Sequence, residues 1–187
     1  MIRTAWHFDE SDGELQLRTG VAGRAARMGH RLTIAMTAWR GTVSLVDGEP
    51  TAADLTVDVS SFKVLRGEGG LQPISGAERS IVRTNALKSL HVKRFPHIHF
   101  HASKVHSVGD GDYRLSGLLE IHGKSQERVI DLRVDDLGSA WRLFGEADVR
   151  QSDFGIKPYS LLAGTLKVAD SVTVSIAVNR AKEEPKE

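Results

Sequence analysis

The chain has 187 residues, no cysteine, and 25 Lys and Arg against 24 Asp and Glu, a formal net charge of +1. That length suits one domain burying about 70% of its unfolded surface without disulfides or a structural metal. The absence of thiols excludes cysteine nucleophiles, iron–sulfur clusters and Cys-type zinc fingers, and the balanced charge argues against nonspecific nucleic-acid binding.

With 40% hydrophobic residues the composition is that of a folded domain, and no run approaches the ~18 apolar residues of a membrane-spanning helix. No apolar stretch follows Arg3 in Met1-Ile2-Arg3-Thr4-Ala5-Trp6 to form a signal-peptide core, which predicts a cytoplasmic protein. Most of the 18 glycines separate short runs of alternating apolar and polar residues, the pattern of antiparallel strands.

In chain order, the first strand carries Leu15, Leu17, Thr19 and Val21 and is followed by a Gly- and Arg-rich bend. A second strand runs Leu32, Ile34, Met36, Ala38 and on through Gly41 to Val43 and Leu45. Leu55, Val57 and Val59 alternate with polar residues in a third strand, and a loop is expected from Lys63 to Pro73. Ser75 and Glu78 have capping-box spacing, which predicts a helix from about Gly76 to Leu90. Its apolar stripe is Ile81, Val82, Ala86, Leu87 and Leu90, with Arg79, Arg83 and Lys88 on the wet side, so it is a lid or plug candidate.

Pro96 opens a strand in which Ile98, Phe100 and Ala102 alternate with His97, His99 and His101. Tyr113 to Ile121 and Arg128 to Val134 read as a hairpin, followed by strands at Trp141 to Val149 and Val168 to Val178. Residues 1–181 are expected to form one domain and 182–187 a charged, disordered tail. The pattern predicts an all-β fold, an eight-stranded antiparallel barrel with its main helix between the third and fourth strands.

His97, His99 and His101 stand about 7 Å apart per step on one face of one strand, a spacing that can hold a metal. The opposite face is apolar, so the three imidazoles are expected outside, with no Asp or Glu in the strand to orient them. No Gly-x-Ser-x-Gly elbow presents a nucleophile, and no Gly-x-Gly-x-x-Gly turn supports a dinucleotide fold. Asp131, Glu146 and Asp148 alternate with inward residues and should be solvated, while Asp153 is expected to stabilise a turn. The basic bend of Arg24, Arg27, His30 and Arg31 could hold an anion.

An eight-stranded barrel is either packed or left with room for one small ligand. The inward candidates are Leu32, Ile34, Met36, Leu55, Val57, Val59, Ile98, Phe100, Leu115, Leu119 and Ile121. Ala38, Ala102 and Gly117 among them are expected to leave volume, although a packed core explains the same residues.

The order of segments resembles the YceI-like family, bacterial lipocalin-like barrels whose members bind polyisoprenoids or other long apolar lipids. The resemblance is carried by Gly29-His30, by Phe95-Pro96-His97-Ile98-His99-Phe100, by Tyr113 through Gly123, and by Ser152-Asp153-Phe154-Gly155-Ile156. Many members carry a signal peptide, and many have an Arg-Asp then His-Leu stretch where this helix reads Glu78-Arg79-Ser80-Ile81-Val82-Arg83 and ends at Leu90-His91. The nearer likeness is to signal-less cytoplasmic members.

The resemblance implies a long apolar cavity, lined by the inward residues above together with Phe154; the basic bend of Arg24, Arg27 and Arg31 is the expected headgroup contact at its mouth. It implies non-enzymatic binding, transport or sequestration of a long apolar lipid, without other cofactor and without catalytic residues. Two alternatives remain beside it: a metal-dependent protein using His97, His99 and His101, and a filled-core interaction module. Short or open sheet edges leave a homodimer open.

Overall fold

Strands with one apolar face must turn that face toward one another, and here they do so by curling into a single antiparallel sheet. The computed structural model describes residues 1–182. Its strands are β1 (Arg3–Asp9), β2 (Gly13–Ala22), β3 (His30–Met36), β4 (Trp39–Val46), β5 (Glu49–Asp58), β6 (Phe62–Gly69), β7 (His97–Gly109), β8 (Asp112–Ile121), β9 (Lys124–Asp136), β10 (Ala140–Arg150), β11 (Ser160–Leu161) and β12 (Leu166–Ala181). The α-helix among the described residues is α1 (Gly76–Ser89).

The sheet is 12-stranded, but several strands are halves of one longer stave. β1 and β2 pair in succession with β4 and β3, and β4 and β3 in turn with β5 and β6. β1–β2, β3–β4 and β5–β6 are therefore three long staves, each bent in the middle. β5 also pairs with β7, and the sheet continues through β8, β9, β10 and β12 back to β2. With the two-residue β11 lying off this path, the ladders form a circuit of eight staves, and α1 follows the third. The expected strand count and helix position thus match staves rather than separate strands.

Two expectations are corrected. β1 is a strand that the alternation does not signal, because only Trp6 and Phe8 in it are shielded. β6 occupies the first part of the predicted Lys63–Pro73 loop; its alternation of Phe62 and Val64 is interrupted by a register shift opposite Thr33/Ile34. Asp47-Gly48, Asp110-Gly111 and His122-Gly123 have positive φ at both positions, the geometry that lets a two-residue turn follow the twist of a hairpin. Of the predicted tail, Lys182 donates from Nζ to Asp136 at 2.5 Å, and residues 183–187 lie outside the described residues.

α1 begins with the predicted capping box: Ser75 Oγ accepts from the Glu78 N–H, and Glu78 Oε2 accepts from the Ser75 N–H. Arg79 and Arg83 are exposed, as expected of the wet side, and their guanidinium groups also reach the sheet. Arg83 donates to the carbonyls of Phe62 and Ser60 at 2.9 and 2.6 Å, and Arg79 to that of Leu65 at 3.1 Å. The Phe62 and Leu65 carbonyls lie on β6, which has no further strand on that side, and the Ser60 carbonyl in the turn just before it.

The candidate ligand cavity

The inward faces enclose a cavity of about 680 Å3. Of the residues expected to line it, Leu32, Ile34, Met36, Leu55, Val57, Ile98, Phe100, Leu115, Leu119, Ile121 and Phe154 do so. Val59 is buried, 2% exposed, but lies in the tight turn Val59–Ser61, where its N–H donates to the Pro96 carbonyl; it is not part of the lining.

The remaining wall comes from strands whose alternation was read but whose residues were not assigned to the cavity. Ile130 and Leu132 contribute from β9, Leu143 and Val149 from β10, and Val172, Val174, Ile176 and Val178 from β12. Leu15 and Leu17 of β2 complete that side, and Val82, Ala86 and Leu90 bring in the helix segment.

The three small residues expected to leave volume, Ala38, Ala102 and Gly117, do not line the cavity, whereas Gly41, Ala53, Gly145 and Ala147 do. Ala102 is fully buried in the packed cluster around Phe100, Leu115 and Phe154. A Cβ on Gly117 would stand 2.0 Å from the His101 carbonyl oxygen and 2.5 Å from Ala102 Cα, so this glycine permits close approach of β7 and β8 beside their bulge.

Several polar residues at the wall have their side chains engaged elsewhere. Asp54 Oδ1 lies 2.6 Å from His101 Nδ1, Glu146 pairs with Arg18 at 2.8 Å, and the Thr42 hydroxyl meets His7. At the helix end of the cavity the lining becomes more polar, with His30, Asn85, Ser89 and Tyr159. His30 Nε2 lies 2.7 Å from the Gln72 carbonyl, which ties the β2–β3 turn to the segment before α1. Arg24, Arg27 and Arg31 are exposed on or beside that turn and do not line the cavity; their neighbours Met28, Gly29 and His30 do.

Below the helix, Phe154 is held from several sides. Asp153 Oδ2 accepts from Arg128 at 2.7 Å, and the Arg128 guanidinium lies 5.4 Å from the Phe154 ring centre. The Phe154 carbonyl is 3.2 Å from His122 Nδ1, whose Nε2 lies 2.6 Å from His91 Nδ1. Both histidines have left-handed backbone, φ 46° and 55°. The bonds close if His122 donates to Phe154 and accepts from His91, linking the segment after α1, the β8–β9 turn and the cavity wall.

His97, His99 and His101 are exposed on the outer face of β7. His99 meets the Thr56 hydroxyl at 3.3 Å, while His101 meets Asp54. Among the described residues, no three His, Asp or Glu side chains converge so as to hold a metal ion. Several carboxylates act as local ties and sit below the ordinary aspartate range for that reason: hydrogen bonds from Ser60 stabilise ionised Asp58, and those from Ser152 stabilise ionised Asp170. Asp131 is lowered by its bond from Arg114. Asp131, Glu146 and Asp148 are exposed, as expected.

A model of the YceI-like domain matches residues 6–179. The chain belongs to the YceI-like domain family. BcnA of Burkholderia cenocepacia has a similar fold, with a TM-score of 0.70 at 18% identity over 92% of this chain and 99% of that one. The YCEI protein of Campylobacter jejuni is similar at a TM-score of 0.55 and 16% identity, covering 73% of this chain and 75% of that one. A mutant CJ YCEI protein, crystallised with a monobromobimane guest, aligns at 0.61 and 14%, covering 81% and 85%. No curated protein matches this sequence. At these identities the likeness carries the YceI-like fold and leaves the ligand to be argued from the cavity. Among the described residues, no helix is long and apolar enough to cross a membrane.

Proposed function

We propose that this YceI-like chain binds a long apolar chain, such as an isoprenoid or another single-chain amphiphile, as a non-enzymatic carrier or sequestering protein. The observation that carries the reading is the cavity of about 680 Å3, walled by aliphatic and aromatic side chains from every stave. Its volume falls within the roughly 300–1,000 Å3 of small-molecule sites. Each buried methylene contributes about 0.8 kcal/mol, so a dozen contribute about 10 kcal/mol, comparable with an association cost of about 4–15 kcal/mol. The hydrophobic effect is non-directional, so such a wall selects for length and girth more than for functional groups.

The polar end of the amphiphile would meet polar residues of the lining, among them His30, Glu78, Asn85, Ser89, Tyr159 and Lys167. Arg24, Arg27 and Arg31 could touch only a headgroup that projects past the turn. The test is native mass spectrometry on protein purified without detergent, followed by solvent extraction, together with titration of cis-parinaric acid added from ethanol. An extractable apolar mass, or saturable probe uptake, near one per chain is expected. Absence of both bound mass and uptake in a folded sample overturns the reading.

A further inference from the structure

The near-zero net charge conceals a molecule whose two ends are oppositely charged. At one end of the barrel lie the β4–β5, β7–β8 and β9–β10 turns, and the β1–β2 bend, although mid-stave, adjoins the end of β12 there, where the Asn179 N–H donates to the Asp12 carbonyl. They carry Asp9, Glu10, Asp12 and Glu14, then Asp47 and Glu49, Asp110 and Asp112, and Asp135 and Asp136. The other end gathers the β2–β3 turn, α1 with its flanking loops, and the segment leading into β12. Glu68 and Glu78 lie at this end, paired with Arg66 and engaged in the Ser75 cap, but no acidic residue occurs from Val21 to Val46, from Arg79 to Val108, or from Phe154 to Ala169. Arg24, Arg27, Arg31, Lys157 and Lys167 stand exposed at this end. At the acidic end Arg133 and Lys182 pair with Asp112, Asp135 and Asp136 and leave the remaining carboxylates in excess.

Both ends expose apolar side chains, Ile2, Val108 and Leu137 among them at the acidic end, but those three do not line the cavity, whereas several at the basic end do. Met28 is 47% exposed, Leu71 77%, Ile81 59%, Leu161 49% and Leu162 56%. Met28, Ile81 and Leu161 line the cavity as well, so the apolar surface runs without a break from the outside into the barrel. Leu161 and Leu162 are presented by a strained loop, with left-handed backbone at Leu162, Ala163 and Gly164 (φ 51°, 54° and 85°). On the wall of the barrel Leu118, Val129 and Phe144 are exposed, but Leu118 and Phe144 stand opposite Glu127 and Arg133, and Val129 lies between Glu127 and Asp131, so they form no continuous apolar band.

We propose that this end docks the protein on an anionic lipid bilayer, so that the apolar rim enters the interface while the basic residues meet the lipid headgroups. Apolar contact and charge act together in such binding, and the acidic opposite end orients the barrel mouth-down. That the docked cavity then takes up its ligand from the bilayer rests on the carrier reading above; docking itself does not.

The full chain lacks cysteine, so a single one can be placed at either end. Leu162→Cys and Leu137→Cys mark the basic and acidic ends at equal exposure, 56% each, and neither residue lines the cavity. Each variant is labelled with a nitrobenzoxadiazole dye and mixed with phosphatidylcholine vesicles with or without 30% phosphatidylglycerol. Flotation with the anionic vesicles is expected, at least tenfold weaker in 0.5 M NaCl and in Leu71→Asp/Leu162→Asp, with dye brightening at position 162 and not at 137. If the double variant does not fold, Arg24→Gln/Arg27→Gln replaces it with the same expectation.

Absence of flotation at low salt, indifference to lipid charge, or equal brightening at both positions overturns the proposal. A dimer lost in the same variants, without flotation, overturns it in favour of a second copy on this face. Parinaric acid uptake from ethanol is read separately. Uptake without docking removes only the membrane proposal, whereas docking without uptake removes only the carrier reading.

Discussion

Met36 and Leu119 are 4% and 9% exposed, and both line the cavity, one on β3 and the other across the barrel on β8. An indole placed at either position enters empty volume as well as packed wall. Met36→Trp or Leu119→Trp is expected to weaken parinaric acid binding at least tenfold, with a stability loss of no more than about 1–3 kcal/mol from overpacking. Fluorescence titration and urea unfolding of the same sample separate the two effects. Gly117 should behave in the opposite way, because its neighbours are backbone atoms of β7 and not the cavity. Gly117→Ala is expected to lose about 1–3 kcal/mol in urea unfolding while ligand affinity, measured on the folded protein, stays within twofold.

At the scale of elements, α1 is held by its cap and by two arginines rather than by a deeply buried face: none of its residues is fully buried. Replacing the cap by Ser75→Ala is expected to cost about 1 kcal/mol at pH 7. Glu78 sits below its ordinary range first because the Ser75 N–H bonds its carboxylate and next because of the Ser75 side chain. A carboxylate lowered in the folded state stabilises fully above its unfolded value and loses that contribution as pH falls through the folded one. The Glu78 contribution is therefore present at pH 7 and gone well below the ordinary glutamate value of about 4.3. Glu78→Gln should destabilise at pH 7, and urea midpoints of variant and parent should converge near pH 3.

Arg83 tests the other attachment, since its bonds run to the Phe62 and Ser60 carbonyls. Arg83→Ala is expected to cost about 1 kcal/mol and to raise deuterium uptake across residues 76–89. Because Val82 and Ala86 of the same helix line the cavity, ligand release measured by stopped flow should also quicken severalfold.

For the whole molecule, a hollow barrel has less packed core than its length allows, and a bound chain supplies the missing contacts. A ligand that binds only the folded state stabilises it by about 2.7 kcal/mol at 100 times its dissociation constant. For a domain this long each kcal/mol corresponds to roughly 2–4 °C in Tm. Delipidated protein is expected to melt about 5–10 °C below the same protein saturated with parinaric acid, by differential scanning calorimetry. Equal midpoints would show that the cavity contributes nothing to binding at the probe concentration used.

Period-two alternation determined much of this protein from the sequence by itself. It placed most of the staves, set Ile98, Phe100 and Ala102 inside and His97, His99 and His101 outside, and the Ser75–Glu78 spacing located α1. These features are local, depending on residues two to four apart. The kinks that split long staves, the presence of β6 in a glycine-containing stretch and the separation of Val59 from the lining were decided by partners far along the chain. Inward pattern alone is the same for a packed core and a hollow one, because both bury one face of every strand. Whether eight staves leave room at their centre depends on how they close around it, and the charge at each end depends on which turns that closure brings together; both are properties of the tertiary structure.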